Sequence, residues 1–144
     1  MNNNLIFLPV MFQVMLTLGL YIYLAMAKSR AVKLGEVDEE RRALYEDAWP
    51  ESVQKINNAI RNQFEVPVLF YVLVSVFWSV GMINVFAHVL AWLFVLSRVA
   101  HVYVHTGSNF VPLRRKLFTI GCFTLIAMAL WAISYVLFAA IRGI

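Results

Sequence analysis

Asn57-Asn58-Ala59-Ile60-Arg61-Asn62-Gln63-Phe64-Glu65-Val66-Pro67 runs straight into the apolar block Val68 to Val80. At about 100° per residue, Asn58, Arg61, Asn62 and Glu65 fall within roughly a 100° arc, so a single helix would carry them as one stripe. A charged stripe therefore enters an apolar segment. An ionisable group in hydrocarbon costs on the order of 2.5 to 3.5 kcal/mol even on insertion scales, and such groups face a protein interior or a wet cavity. Reading this stretch as the entry of a membrane-crossing helix decides the fold, and it demands partners for the polar face.

The surrounding composition agrees. Of 144 residues, 62% are hydrophobic and only 14% charged, outside ordinary soluble usage. The apolar residues form four blocks, Leu5 to Ala27, Val66 to Ile83, Val85 to about Val104 and Leu117 to Ile141, each close to the ~20 residues that cross the hydrocarbon. The expectation is an all-α integral membrane protein, a single domain over residues 1–144 built as a four-transmembrane-helix bundle, with the lipid bilayer as its first partner. The first block lacks a basic n-region and a small-residue cleavage site, so it reads as the first span rather than a signal peptide. Cys122, the one cysteine, lies inside the fourth block, which excludes a disulfide framework and a cysteine metal site and leaves a small buried hydrophobe.

The net charge is +4, with its basic residues concentrated in two connections. Lys28, Arg30, Lys33, Arg41, Arg42 and Lys55 fall between blocks one and two, and Arg114, Arg115 and Lys116 between blocks three and four. Basic residues in short loops favour the cytoplasmic side, so the loops 28–57 and 106–116 are expected there and both termini outside. This topological cause accounts for the positive charge without nucleic acid as a partner.

Along the chain, Gln13 and Thr17 are four apart on one face of the first helix and suit hydrogen bonding across a helix interface. The segment 28–50 reads as a solvated connection with a helical turn or two, Gly35 as a helix stop and Asp38 as a possible cap; its alternative is a lid over a site at the membrane face. The second helix begins at Pro50 or Ser52 and carries the polar stripe inward. Pro67 cannot donate to the carbonyl of Gln63, so a kink or local opening beside Glu65 is expected. Gly81 to Asn84 is short enough to make the second and third helices an antiparallel hairpin. Late in the third helix Arg98, His101 and His105 share a face, with Tyr103 pointing the other way. Because this helix returns toward the basic loops, its polar stripe is expected at the depth of the first. The fourth helix, rich in Gly121, Ala127, Ala129 and Ala132, reads as packing and lipid contact.

Two facing stripes make a site whose inventory is Asn58, Arg61, Asn62, Glu65, Arg98, His101, His105 and Arg114. Cations outnumber the carboxylate, which suits an anionic small molecule, a thiolate or an oxyanion. Each residue also has a plainer reading. Arg61 and Glu65 at i, i+4 can neutralise one another during insertion. Arg98 can snorkel to head groups and Arg114 to Lys116 can set topology. The Asn residues can be helix-helix glue. His101 and His105 have ligand spacing but no evident third ligand, which argues against a metal.

Arg61-Asn62-Gln63-Phe64-Glu65-Val66-Pro67 and Arg98-Val99-Ala100-His101, set in four apolar helices, resemble the MAPEG family, the membrane-associated proteins of eicosanoid and glutathione metabolism. The resemblance aligns Asn62 and Glu65 with an Asn and Glu of the family's second helix, Arg98 and His101 with an Arg followed by Tyr or His in the third, and Arg114 with an Arg near the start of the fourth. It implies a homotrimer with glutathione as co-substrate, bound between subunits and open to the cytosol, and an Arg that stabilises the glutathione thiolate. One departure stands out: active members usually carry an Arg four residues before the motif Asn, where this chain has Asn58. The resemblance implies a glutathione transferase or peroxidase acting on a lipophilic substrate, with Arg114 at the thiolate, His101 as base or donor, Arg61 or Arg98 on ligand carboxylates and Glu65 on the amino group. The alternatives are a non-catalytic member whose polar stripes serve trimer assembly or lipid and partner binding, and a small transporter with Glu65 as its proton-linked carboxylate.

Overall fold

The computed structural model describes residues 3–142, and these form four helices long and apolar enough to cross a membrane. After a 3-10 turn over Asn3–Ile6, α1 spans Phe7–Lys33, α2 Glu51–Arg61, α3 Val66–Ser79, α4 Val85–Thr106 and α5 Val111–Arg142. Helices α2 and α3 together make the second span, Glu51–Ser79. The rise of 1.5 Å per residue makes α1 about 40 Å and α5 about 48 Å long, beyond the ~30 Å hydrocarbon core. Both helices therefore run past the apolar blocks that announce them, α1 by taking in Lys28 to Lys33 and α5 by starting at Val111, with Pro112 in its first turn.

Local chemistry sets most of the ends. Gly35 (φ 66°) closes α1 with paired bonds from Gly35 N to Val32 O (3.1 Å) and from Glu36 N to Ala31 O (3.0 Å). Gly81 (φ 72°) closes α3 identically, with Gly81 N to Trp78 O and Met82 N to Phe77 O. Both are Schellman stops, whose left-handed residue is least costly as glycine. Asn84 then caps α4, its Oδ1 accepting from Ala87 N at 3.0 Å. Between α1 and α2, Asp38 Oδ1 accepts from Glu40 N and Arg41 N, and Arg41 pairs with Asp47 at 2.8 Å. The expected solvated connection is therefore a chain of turns tied by its own charges.

The second span is not one straight helix. Helical structure stops at Arg61 and resumes at Val66, with Pro67 in the first turn of α3 and Glu65 at φ −97°, ψ −94°. The proline supplies the expected opening, but the interruption ends the single stripe: residues on either side no longer follow one helical register.

Two apolar clusters hold the bundle. One gathers Ile6, Phe70, Val74, Phe77, Phe94 and Met128 with their neighbours, and its Phe70 and Phe94 rings stack at 4.6 Å. The other joins Leu20 to Ile56, Ala59, Ile60 and Val102. In chain order the buried polar residues Gln13, Gln63 and Arg98 fall between the two clusters on α1, on the α2–α3 break and on α4 respectively. The core is thus apolar, polar, apolar along its length, and the site lies on the polar layer.

Candidate functional site

Burial separates the expected site residues into two groups. Arg98, His101 and His105 are buried on one face of α4, while Tyr103 on the other face is 81% exposed. Asn62 and Arg114 are half-buried, and Asn58, Arg61 and Glu65 are exposed. The structure brings Asn62, Arg98, His101, His105 and Arg114 together. It leaves Asn58, Arg61 and Glu65 on the outward surface of the same chain.

The break between α2 and α3 makes the first link. Asn62 turns its carbonyl toward α4, where it accepts from Arg98 Nη2 at 3.4 Å. Its side chain donates to Asn58 O at 3.0 Å and lies 3.4 Å from His105 Nδ1. The two polar stripes therefore do meet at one level, as their positions on antiparallel helices require. Arg61 takes another course: its guanidinium pairs with Glu46 in the connection between α1 and α2. The Arg61–Glu65 pair considered from sequence does not form, because the helix ends between the two residues.

Arg98 is the largest wholly buried side chain. Besides the bond to Asn62 it has the Phe118 ring 5.8 Å from its guanidinium carbon, and its Nε and Nη1 have no hydrogen-bond partner among the described residues, nor does His101 Nδ1. Gly121 of α5 allows this approach, since a Cβ there would lie 3.1 Å from Ser97 Oγ and 3.8 Å from Arg98 Cδ. Buried charged donors left unpaired are costly, and they favour any anion that comes near.

Next to this guanidinium, through its neighbours Asn62 and Phe118, is a cleft of about 300 Å³ lined by Asn62, His101, Val111, Arg114, Arg115 and Phe118, with Arg98 itself behind the lining. Two arginines form its rim and no carboxylate lines it among the described residues. The turn before α5 positions Arg114: Asn109 adopts φ 52°, a left-handed conformation that Asn tolerates, and its Oδ1 accepts from Arg114 Nη1 at 2.5 Å. The chemistry on offer is anion binding in a half-dry site, with an imidazole nitrogen within the wall.

A second, wholly apolar groove of about 350 Å³ runs along α3 and α5, bordered by Val66, Leu69, Leu73, Cys122, Leu125 and Ile126. Cys122 stands one helical turn beyond Phe118, so groove and cleft share adjacent turns of α5.

The family model of the MAPEG family matches residues 6–134, nearly the whole chain. The chain belongs to the MAPEG family. No curated protein and no solved structure matches it. Family membership and the four apolar helices together make this an integral, multi-pass membrane protein. The family includes glutathione transferases and peroxidases as well as non-catalytic members, and its members commonly use glutathione.

Several contributors were not legible as site residues. Arg115 reads as topology and Phe118 as part of a packing helix, yet both line the cleft. This corrects the view of the fourth helix as packing and lipid contact alone. Gln63, inside the opening motif, carries no charge and drew no role. Its signal is burial: it is 2% exposed, in a stretch whose neighbours Phe64 and Glu65 face outward.

Proposed function

We propose that this MAPEG protein binds glutathione, or an anionic thiol of the same kind, in the cleft beside Arg98 and presents it to a lipophilic substrate from the bilayer. The observation that carries the reading is a cleft with two arginines at its rim and no lining carboxylate among the described residues, with a third, incompletely paired arginine buried behind its wall residues Asn62 and Phe118. In this reading Arg114, oriented by Asn109, stabilises the thiolate, which is stronger in a low-dielectric site than in water. The thiol proton passes to solvent or to His101 Nδ1, in the tautomer that leaves this nitrogen free. Arg98 and Arg115 attract the carboxylates. The thiolate then forms a carbon–sulfur bond with an electrophile, whose leaving group departs, or attacks the terminal oxygen of a hydroperoxide. In the second case a sulfur–oxygen bond forms as the O–O bond breaks, the alkoxide leaves as the alcohol with a proton from solvent, and a second thiol converts the resulting sulfenic acid to a disulfide and water. The groove along α3 and α5 suits the apolar part of such a substrate.

The exposed Asn58 and Glu65 suit a homotrimer in which a neighbouring subunit completes the site, Glu65 meeting the ligand's amino group. The excess of basic residues in the 28–57 and 106–116 segments supports a cytosolic opening with both termini on the other side. Calorimetric titration of glutathione into the protein in nanodiscs, with absorbance detection of bound thiolate, tests the reading. Binding with a thiolate band that Arg114→Ala abolishes is the expected result, and absence of binding overturns it.

One observation favours a non-catalytic member: the Asn62 side chain is already engaged with Asn58 and His105. On that reading Asn62→Ala with Glu65→Ala dissociates the trimer. The catalytic reading expects an intact trimer that has lost activity.

A further inference from the structure

Gln13 and Gln63 form a hydrogen bond of 2.8 Å between α1 and the α2–α3 break, Gln13 Nε2 donating to Gln63 Oε1. Both residues are buried, at 0% and 2% exposure. Such a pair is unusual in an otherwise apolar interface, and the backbone around Gln63 shows what it does. In a continuing α-helix Gln63 N would donate to Ala59 O. Here Gln63 N donates to Ile60 O at 2.8 Å and Phe64 N to Arg61 O at 3.0 Å, so the last turn tightens to 3-10 form. The tightening frees the carbonyl of Ala59, which then accepts from Gln63 Nε2 at 3.1 Å. Gln63 therefore caps the helix that it ends, and Gln13 holds the capping amide in its orientation.

The neighbouring residue, Asn62, faces the opposite way and meets Arg98 and His105 of α4. The break is consequently pinned from both sides: Gln63 to α1 and Asn62 to α4. We infer that Gln13 and Gln63 are positioning residues of the candidate site, fixing the rotation of the break so that Asn62 presents its carbonyl to Arg98 and its amide to His105 while standing in the wall of the cleft. The inference rests on the glutathione reading for its functional consequence, and on geometry alone for its structural one. Neither glutamine lines the cleft, so each acts through Asn62.

A leucine at position 13 keeps bulk and removes the donor, leaving the Gln63 amide oxygen without its partner in a dry interior. The test compares wild type, Gln13→Leu and Met128→Ala, the last a core truncation in the apolar cluster of Phe70 and Phe94, by hydrogen–deuterium exchange over residues 59–66 and by glutathione titration in nanodiscs. Gln13→Leu is expected to speed exchange across 59–66 at least fivefold and to weaken glutathione binding at least fivefold, and Met128→Ala to do neither, even where it lowers the melting temperature as much. Unchanged exchange in Gln13→Leu overturns the inference whatever the ligand does, as does an equal response in Met128→Ala. Faster exchange in a protein whose wild type takes no glutathione overturns the functional reading and leaves the positioning of Asn62 standing. Should Gln13→Leu not fold, Gln13→Asn, which keeps the amide but shortens its reach by one methylene, carries the same expectations.

Discussion

The backbone carbonyl of Asn62 accepts from the buried guanidinium of Arg98 across 3.4 Å, joining the break in the second span to the polar face of α4. A full positive charge is thereby held inside the bundle by one neutral acceptor. Replacing a buried, incompletely paired ion by an apolar residue of similar length is often neutral or stabilising by ~1 to 4 kcal/mol. Arg98→Met is therefore expected to melt at or above the wild-type temperature in detergent while losing glutathione affinity tenfold or more by calorimetry. A large fall in melting temperature would show that the charge stabilises the fold.

Arg114 reaches the cleft rim through Asn109, whose left-handed backbone directs Oδ1 at its guanidinium. Loss of a preorganised donor at a developing anion costs roughly 10² to 10³ in kcat. Arg114→Ala should show that loss with a soluble test electrophile, together with disappearance of the thiolate band. Asn109→Ala, which frees the side chain without removing it, should give a smaller loss of the same kind.

Arg61 and Glu46 pair on the surface, with side chains 60% and 52% exposed. Exposed pairs contribute about 0.2 to 1 kcal/mol in double-mutant cycles and are screened by salt. A cycle of Arg61→Ala and Glu46→Ala should give a coupling within that range that shrinks at high salt, measured by thermal unfolding. Glutathione affinity should stay within about threefold in either variant, which separates Arg61 from the cleft; a tenfold loss would return it to the ligand.

Gly121 lets α5 approach α4 where Ser97 and Arg98 lie, and a side chain there meets Ser97 Oγ at 3.1 Å. Overpacking of this sort costs about 1 to 3 kcal/mol. Gly121→Val should lower the melting temperature accordingly, because Ser97 Oγ must give way, and disturb glutathione binding through the adjoining Arg98, whose Cδ lies 3.8 Å from the new Cβ. Gly19, whose Cβ would meet nothing within 4 Å, is the matched control: Gly19→Ala should leave both measurements unchanged or raise stability.

The spans, the opening at Pro67 and the meeting of Asn62 with α4 follow from periodicity and from the chemistry of one imino acid. Apolar blocks report where a helix crosses, and i, i+3, i+7 spacing reports which side it hides; both are local properties of the chain. Partner identity is not local. Gln13 was readable as an interface donor, but its partner, Gln63, lies on the face of the second span opposite Asn58 and Arg61, and the local pattern does not say that this face meets α1. Arg61 escaped for the same reason, since its carboxylate comes from a connection with no periodic pattern. Phe118 and Arg115 belong to a helix whose faces are nearly equal in apolar character, so no pattern distinguished the cleft side.

The groove along α3 and α5 and the cleft beside Arg98 stand a single turn apart on α5, one lined by hydrocarbon and the other by arginine. Two reactants meeting there would arrive from different phases, and their concentrations would be counted in different units: molarity for the thiol, mole fraction in the bilayer for the lipophile. Diluting proteoliposomes with inert lipid at constant total substrate should slow turnover, whereas diluting the same suspension with buffer at constant thiol should not. The catalyst would thus respond to the surface crowding of its substrate rather than to how much of it the sample contains.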